Sequence, residues 1–200
     1  MVQTGQMQFN DDGQLKVYDQ AIADAVAEEA AITFNVIASP LVKVTDTFTR
    51  PNTTTQYLAA DEVSNHATQA SAVPLHFVGV VGANAGTGYL VKAVLEFSRN
   101  VTTNAIFRLW LFNAAPTMVG DNLAYSLLHS ERAARVGYVD FALITEGGSS
   151  DCAEALDDGL RLAFKCGAAS KDLWGVLVAK AGYTPAGLEV VTVYLVVETA

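Results

Sequence analysis

The chain is poor in the residues on which catalysis, metal binding and disulfide frameworks depend. It has three histidines and two cysteines in 200 residues. His66, His76 and His129 share no ligand spacing with one another or with Cys152 and Cys166. Structural zinc calls for ligands paired roughly two to four residues apart, so no metal site is assigned. No Gly-x-Ser-x-Gly elbow is present, and three polar loop histidines without a nucleophile beside them assign no catalytic residue. The two cysteines leave both pairing across strands and free thiols open. Basic residues are scarce too: twelve Lys and Arg face twenty-one Asp and Glu, a net charge of −9. Binding to nucleic acid or anionic lipid needs the opposite balance. No run approaches the roughly 18 apolar residues of a membrane-spanning helix. The start, Met1-Val2-Gln3-Thr4-Gly5-Gln6, is neither basic nor apolar, so it reads as no secretory signal, and synthesis in the cytoplasm is expected. Glycines cluster from Gly82 to Gly88, but no Gly-Lys-Ser/Thr follows and the next residues, Tyr89-Leu90-Val91, start a strand. A phosphate loop lacks both its lysine and its helix here.

What remains is apolar and β-rich. Half of the chain is hydrophobic (51%), only 16% is charged, and the mean hydropathy is +0.27. That implies a large core or apolar surface covered by a partner. Residues 1–15 read as a polar arm. Val17, Ile22, Ala25, Val26 and Ala30 then recur at helical spacing, predicting one short helix over 16–31. From residue 32 the texture changes to short strands: 32–37, 41–48, 56–63, 73–81, 89–97, 105–112, 124–128, 136–143, 160–166, 173–181 and 188–197. In the second, Val42, Val44, Asp46 and Phe48 alternate with Lys43, Thr45, Thr47 and Thr49. The segment 73–81 is apolar enough to be buried on both faces, and 82–88 reads as a hairpin loop from which 89–97 pairs back. Strands at a spacing of roughly 8–12 residues, without helical crossovers, predict an all-β antiparallel sandwich, jelly-roll-like, with an N-terminal helix or arm. The expected division is an arm over 1–31 and one sandwich domain over 32–200.

Three clusters invite a chemical reading. Asp151, Glu154, Asp157 and Asp158 form the densest acidic group, read as a solvated loop because it lacks the glycine and spacing of a calcium loop, with a weak cation site shared with a neighbour as the alternative. Asn52-Thr53-Thr54 and Asn100-Val101-Thr102 match glycosylation sequons, but Asn and Thr are also ordinary turn residues. Trp110, Trp174, Tyr57, Tyr138 and Tyr183 could form a sugar-binding platform. The apolar strands around Trp110 and Trp174 favour core packing for both.

Three stretches resemble a family. The first is Phe48-Thr49-Arg50-Pro51 with the Thr-rich turn, Tyr57 and the acids Asp61 and Glu62. The second is Leu109-Trp110-Leu111-Phe112-Asn113-Ala114-Ala115-Pro116-Thr117, followed by Asp121-Asn122-Leu123-Ala124-Tyr125. The third is Leu173-Trp174-Gly175-Val176-Leu177-Val178-Ala179 with Tyr183-Thr184-Pro185-Ala186-Gly187. In this order they resemble structural proteins of tailed-bacteriophage virions, of the capsid decoration or cement type, over about residues 42–197. The resemblance implies a non-enzymatic jelly-roll protein on the capsid exterior. It also implies the major capsid protein and copies of itself (a homotrimer) as partners, and no cofactor. Other virion positions, tail or head–tail junction, fit the same resemblance. A carbohydrate- or receptor-binding sandwich is the reading from another class.

Overall fold

The computed structural model describes residues 8–9, 15–16, 41–99, 105–142, 145–146 and 153–199. The chain divides into two compact units, Met1–Ala38 and Ser39–Ala200. In the first, β1 (Gln8–Phe9) pairs antiparallel with β2 (Leu15–Lys16). Lys16, expected to open a helix, is therefore extended; the helical spacing itself begins only at Val17. The remainder of that predicted helix and the strand predicted at 32–37 lie outside the described residues.

The second unit is two antiparallel sheets. Its strands are β3 (Leu41–Thr49), β4 (Glu62–Val63), β5 (Leu75–Phe77), β6 (Thr87–Phe97), β7 (Phe107–Phe112), β8 (Arg135–Phe141), β9 (Thr145–Glu146), β10 (Ala153–Asp157), β11 (Leu162–Lys165), β12 (Leu173–Ala179) and β13 (Val190–Thr199). The first sheet runs β3-β13-β6-β10-β9, and β11 continues the β10 edge along the other half of β6. The second runs β4-β12-β7-β8, with β5 and β4 sharing one edge of β12. Setting aside the two-residue edge strand β9, and counting β4 with β5, and β10 with β11, as interrupted single strands, leaves eight positions. Their order is first-eighth-third-sixth in one sheet and second-seventh-fourth-fifth in the other. That is the jelly roll.

Alternation builds the layer between the sheets. Val191, Val193, Leu195 and Val197 of β13 are buried, as are Leu90, Ala93, Leu95 and Phe97 of β6. Phe107, Leu109 and Leu111 of β7 meet them from the other sheet, with Val139 and Phe141 of β8. On β3, Val42, Val44, Asp46 and Phe48 face the same way as Val197, Leu195, Val193 and Val191, their register partners, which matches the period-2 reading. Asp46 points inward at the edge and accepts the His76 backbone N–H at 2.6 Å.

Four expectations need correction. The strand over 73–81 shrinks to Leu75–Phe77, because Pro74 offers no N–H and Gly79 turns the chain at φ +69°. Val73 and Val78, expected inside, are exposed. The 82–88 loop is no hairpin: it carries the chain from one sheet to the other, and β6 pairs with β13 instead. Neither 56–63 nor 124–128 is a full strand. Tyr57 makes an isolated bridge to Tyr183, Asp61 one to Ala124, and Ala60 at φ +77° breaks the first segment. The acidic stretch holds strand β10, whose alternation is hidden because small and acidic residues occupy it.

A second apolar cluster lies on the outer face of the second sheet. Phe112, Val176 and Val178 are buried there against Met118 and the half-buried Trp110, Tyr125, Leu127 and Trp174. The long connection between β7 and β8 therefore packs across this face, and β12 is buried on both sides.

Candidate functional site

Arg50 follows β3 and is buried, 1% exposed. Its backbone N–H donates to the Glu189 carbonyl at 2.9 Å, which anchors it beside β13. Its guanidinium then donates in three directions. Nε reaches the Tyr57 hydroxyl at 2.6 Å, one terminal nitrogen the Ala186 carbonyl at 3.0 Å, and the other Asp121 Oδ2 at 3.0 Å. The Tyr57 hydroxyl donates to Asp121 Oδ1, which also accepts the Ser64 N–H at 3.1 Å. The Tyr57 ring stacks on Tyr183 at 4.7 Å, and Tyr183 meets Phe107 edge-on at 5.0 Å. A planar cation with a fork of donors suits this geometry where lysine would not.

The electrostatics follow from burial. Desolvation holds the Tyr57 and Tyr183 hydroxyls above the ordinary phenol range, so both stay protonated. Glu189 is also buried, and neither carboxylate oxygen has a hydrogen-bond partner among the described residues. Arg50 lies 3.9 Å from it. Desolvation raises its pKa to about 7, against the pull of Arg50 and Arg99. Glu62 is buried beside this network and accepts the N–H groups of Val119 (2.8 Å) and Gly120 (3.0 Å). At Gly120, φ is +111° and a Cβ would meet the Ala67 carbonyl oxygen at 2.8 Å, so only glycine fits. The network ties the loops around residues 50–64, 119–121 and 183–189 together. Tyr57 and Asp121 are already committed to Arg50 and to each other, and Tyr183 joins them through its ring, all shielded from water, which suits a structural hub. Ala60, Asn122 and Leu188 near it are non-glycine residues at positive φ, and Leu58, Leu123 and Leu188 are exposed around it.

The outer face of the second sheet offers different chemistry. Arg108 pairs bidentately with Asp140 (2.7 Å twice), and Lys180 Nζ adds a bond to Asp140 at 2.9 Å. This arrangement lowers the Asp140 pKa and raises that of Arg108. Arg108 also lies 3.7 Å from the Tyr138 ring centre and 5.0 Å from that of Trp110. Trp110 and Tyr138 are register partners on β7 and β8, in edge contact at 5.1 Å. Beside them a groove of about 320 Å³ runs between Trp110, Tyr125, Leu127, Val178, Arg108 and Lys180.

The residues singled out from sequence do not converge. His66 is exposed in a loop, and His129 is exposed at the start of a one-turn 3-10 helix, His129–Glu131. His76, read as a polar histidine although it falls within the predicted strand 73–81, is on β5, 3.0 Å from Asp172 and stacked on Trp174 at 4.9 Å. Glu154 and Asp157 fall on strand β10, and Asp158 follows; Asp151 is outside the described residues. This corrects the reading of 151–158 as one loop. Among the described residues no cluster of three His, Cys, Asp or Glu could hold a metal ion. Cys166 is a free, buried thiol whose pKa burial pushes up to about 11, while Cys152 lies outside the described residues. Trp110 and Trp174 are half-buried on the outer face, not in the layer between the sheets. Sequence reasoning missed Arg50 and Asp121 as partners, 71 residues apart in the chain. The available signal was that both stand inside the stretches carrying the family resemblance.

No family model matches this sequence, and no curated protein matches it. Among solved structures, the chain aligns with one described as the structure of Tomato Aspermy Virus at 9% identity and a TM-score of 0.29, covering 90% of this chain and 93% of that one. Israeli acute paralysis virus (full particle heated to 63 degree) aligns at 9% identity and 0.27, with 100% and 84% covered. Black queen cell virus aligns at 10% and 0.26, with 100% and 84% covered. Likeness at these TM-scores is loose, and the fold assignment rests on the strand order.

Proposed function

We propose that this chain is a non-enzymatic structural protein of a tailed-phage virion, docking on the exterior of the assembled capsid and stabilising it. One observation carries the reading. Arg50, Tyr57, Asp121 and Tyr183, drawn from all three resembling stretches, meet in one buried network. The shared wording thus corresponds to one tertiary arrangement and is not scattered turn composition. A rigid jelly roll whose tyrosine–aspartate chemistry is consumed internally suits a part that acts by covering surface. Its partners would be the major capsid protein and further copies of itself, and binding only the assembled shell stabilises it by mass action. A tail or head–tail junction position is the alternative within the same class.

Quantitative mass spectrometry of purified virions tests this. Copies in the hundreds per particle are expected for a decorating protein. A handful of copies would move it to the tail or junction, and none would end the virion reading.

A further inference from the structure

We infer that the outer face of the second sheet, around Trp110 and Tyr138, docks an acidic, extended protein segment that seats an apolar side chain in the groove beside Trp110. This rests on the reading of the chain as a docking protein and supplies the chemistry of its partner. The first support is charge. In a chain of net charge −9, Arg108, Arg135 and Lys180 gather near two surface aromatics, facing Asp140 and, close to Tyr125, Glu131. Arg135 is exposed, Lys180 is over a third exposed, and Tyr138 is 47% exposed. Tyr, Trp and Arg are the residues enriched at the centres of protein interfaces. An acidic partner meets this patch with complementary charge while the rest of the surface repels it.

The groove is the second support. Leu127, Val178 and Trp110 give it apolar walls, and its volume of about 320 Å³ accommodates a side chain such as leucine or phenylalanine. Asp or Glu side chains flanking the seated residue would reach Lys180 and Arg135.

A sugar is the competing occupant, and the ring faces argue against it. Stacking a pyranose needs an open aromatic face, whereas Arg108 lies 3.7 Å over Tyr138, and both Arg108 and Arg135 lie over Trp110 at 5.0 and 5.8 Å. Those cations leave room at the rim for carboxylates.

The test uses the full chain carrying Trp174→Phe, so that Trp110 is the single tryptophan reporter. Its emission is titrated with acetyl-Glu-Glu-Leu-Glu-Glu-amide, the matching Lys-Lys-Leu-Lys-Lys peptide and maltohexaose. Saturable binding of the acidic peptide alone is expected. It should weaken at least about tenfold in Arg135→Glu and in Lys180→Glu, with unchanged circular dichroism, and more gently in Arg135→Gln. Equal response to both peptides, binding of maltohexaose only, or no saturation by about 5 mM acidic peptide overturns the inference. Acidic-peptide binding by a chain absent from virions sinks the virion reading alone. A chain that decorates virions but ignores the peptide sinks this inference alone.

Discussion

At the scale of single residues, Arg50 governs the interior of the loop end. Its guanidinium is the cation between two buried carboxylates, those of Asp121 and Glu189. Removing one partner of such a group leaves charge without compensation, which costs about 3–5 kcal/mol. Arg50→Met should therefore lower urea-unfolding stability by that order, with circular dichroism at zero denaturant reporting how much folded protein survives. Tyr57→Phe removes only the hydroxyl joining Arg50 to Asp121 and should cost less, about 1–3 kcal/mol. Beside Glu62, whose pKa burial also raises, Glu189 contributes to the pH dependence. Its folded pKa of about 7 lies above the ordinary value of 4.5, so the native state holds a proton that the unfolded chain gives up. Its contribution is fully present below pH 4.5 and is lost as pH rises through 7. Glu189→Gln should flatten the fall in stability between those limits and raise stability above them. A parallel slope in wild type and variant would mean that Glu189 is not the titrating group.

At the scale of elements, the connection between β7 and β8 behaves as a third layer. Phe112, Met118, Val176 and Val178 form a core of their own under it, outside the sandwich interior. Phe112→Ala should cost about 3–5 kcal/mol, and amide exchange should accelerate first in residues 113–134 if this layer opens locally. Exchange rising evenly through β6 and β13 would instead make the two cores one cooperative unit. This layer also explains what the sequence could and could not disclose. Strands such as β7 and β13 were legible because alternation of Phe107, Leu109 and Leu111, or Val191, Val193 and Leu195, reports one buried face. β10 was not legible, since Ala153, Ala155 and Asp157 lack the bulk that marks a strand. Trp110 and Trp174 do pack on a buried cluster, but which face they pack on was hidden, because a covered outer face is as apolar in sequence as an interior. The Arg50 network needed tertiary proximity between residues far apart in the chain, which no local pattern encodes. Pairing of β6 with β13 instead of with 73–81 was equally hidden, because a glycine-rich loop looks the same whether it turns a hairpin or crosses between sheets.

At the scale of the whole molecule, both apolar clusters and all eight strand positions fall within the unit Ser39–Ala200. Before it, residues 1–31 are polar at the start and Ala-rich toward the end, so they have few large side chains with which to gain burial free energy, at ~25 cal/mol per Å². Around the sandwich, Leu41, Leu58, Val73, Val78, Leu123, Leu128 and Leu188 remain exposed, in keeping with a positive mean hydropathy. An arm of this composition contributes most where it can be ordered against a neighbouring molecule, at the cost of its chain entropy. Deleting residues 1–31 should therefore leave a folded domain whose melting temperature changes by no more than about 4 °C, the shift expected for roughly 1 kcal/mol. The same truncation should weaken co-sedimentation with undecorated capsids by tenfold or more, about 1.4 kcal/mol. Failure of the truncated chain to fold would place the arm in the core energetics. Folding with undiminished binding would make it a passive tail and leave docking to the sandwich alone.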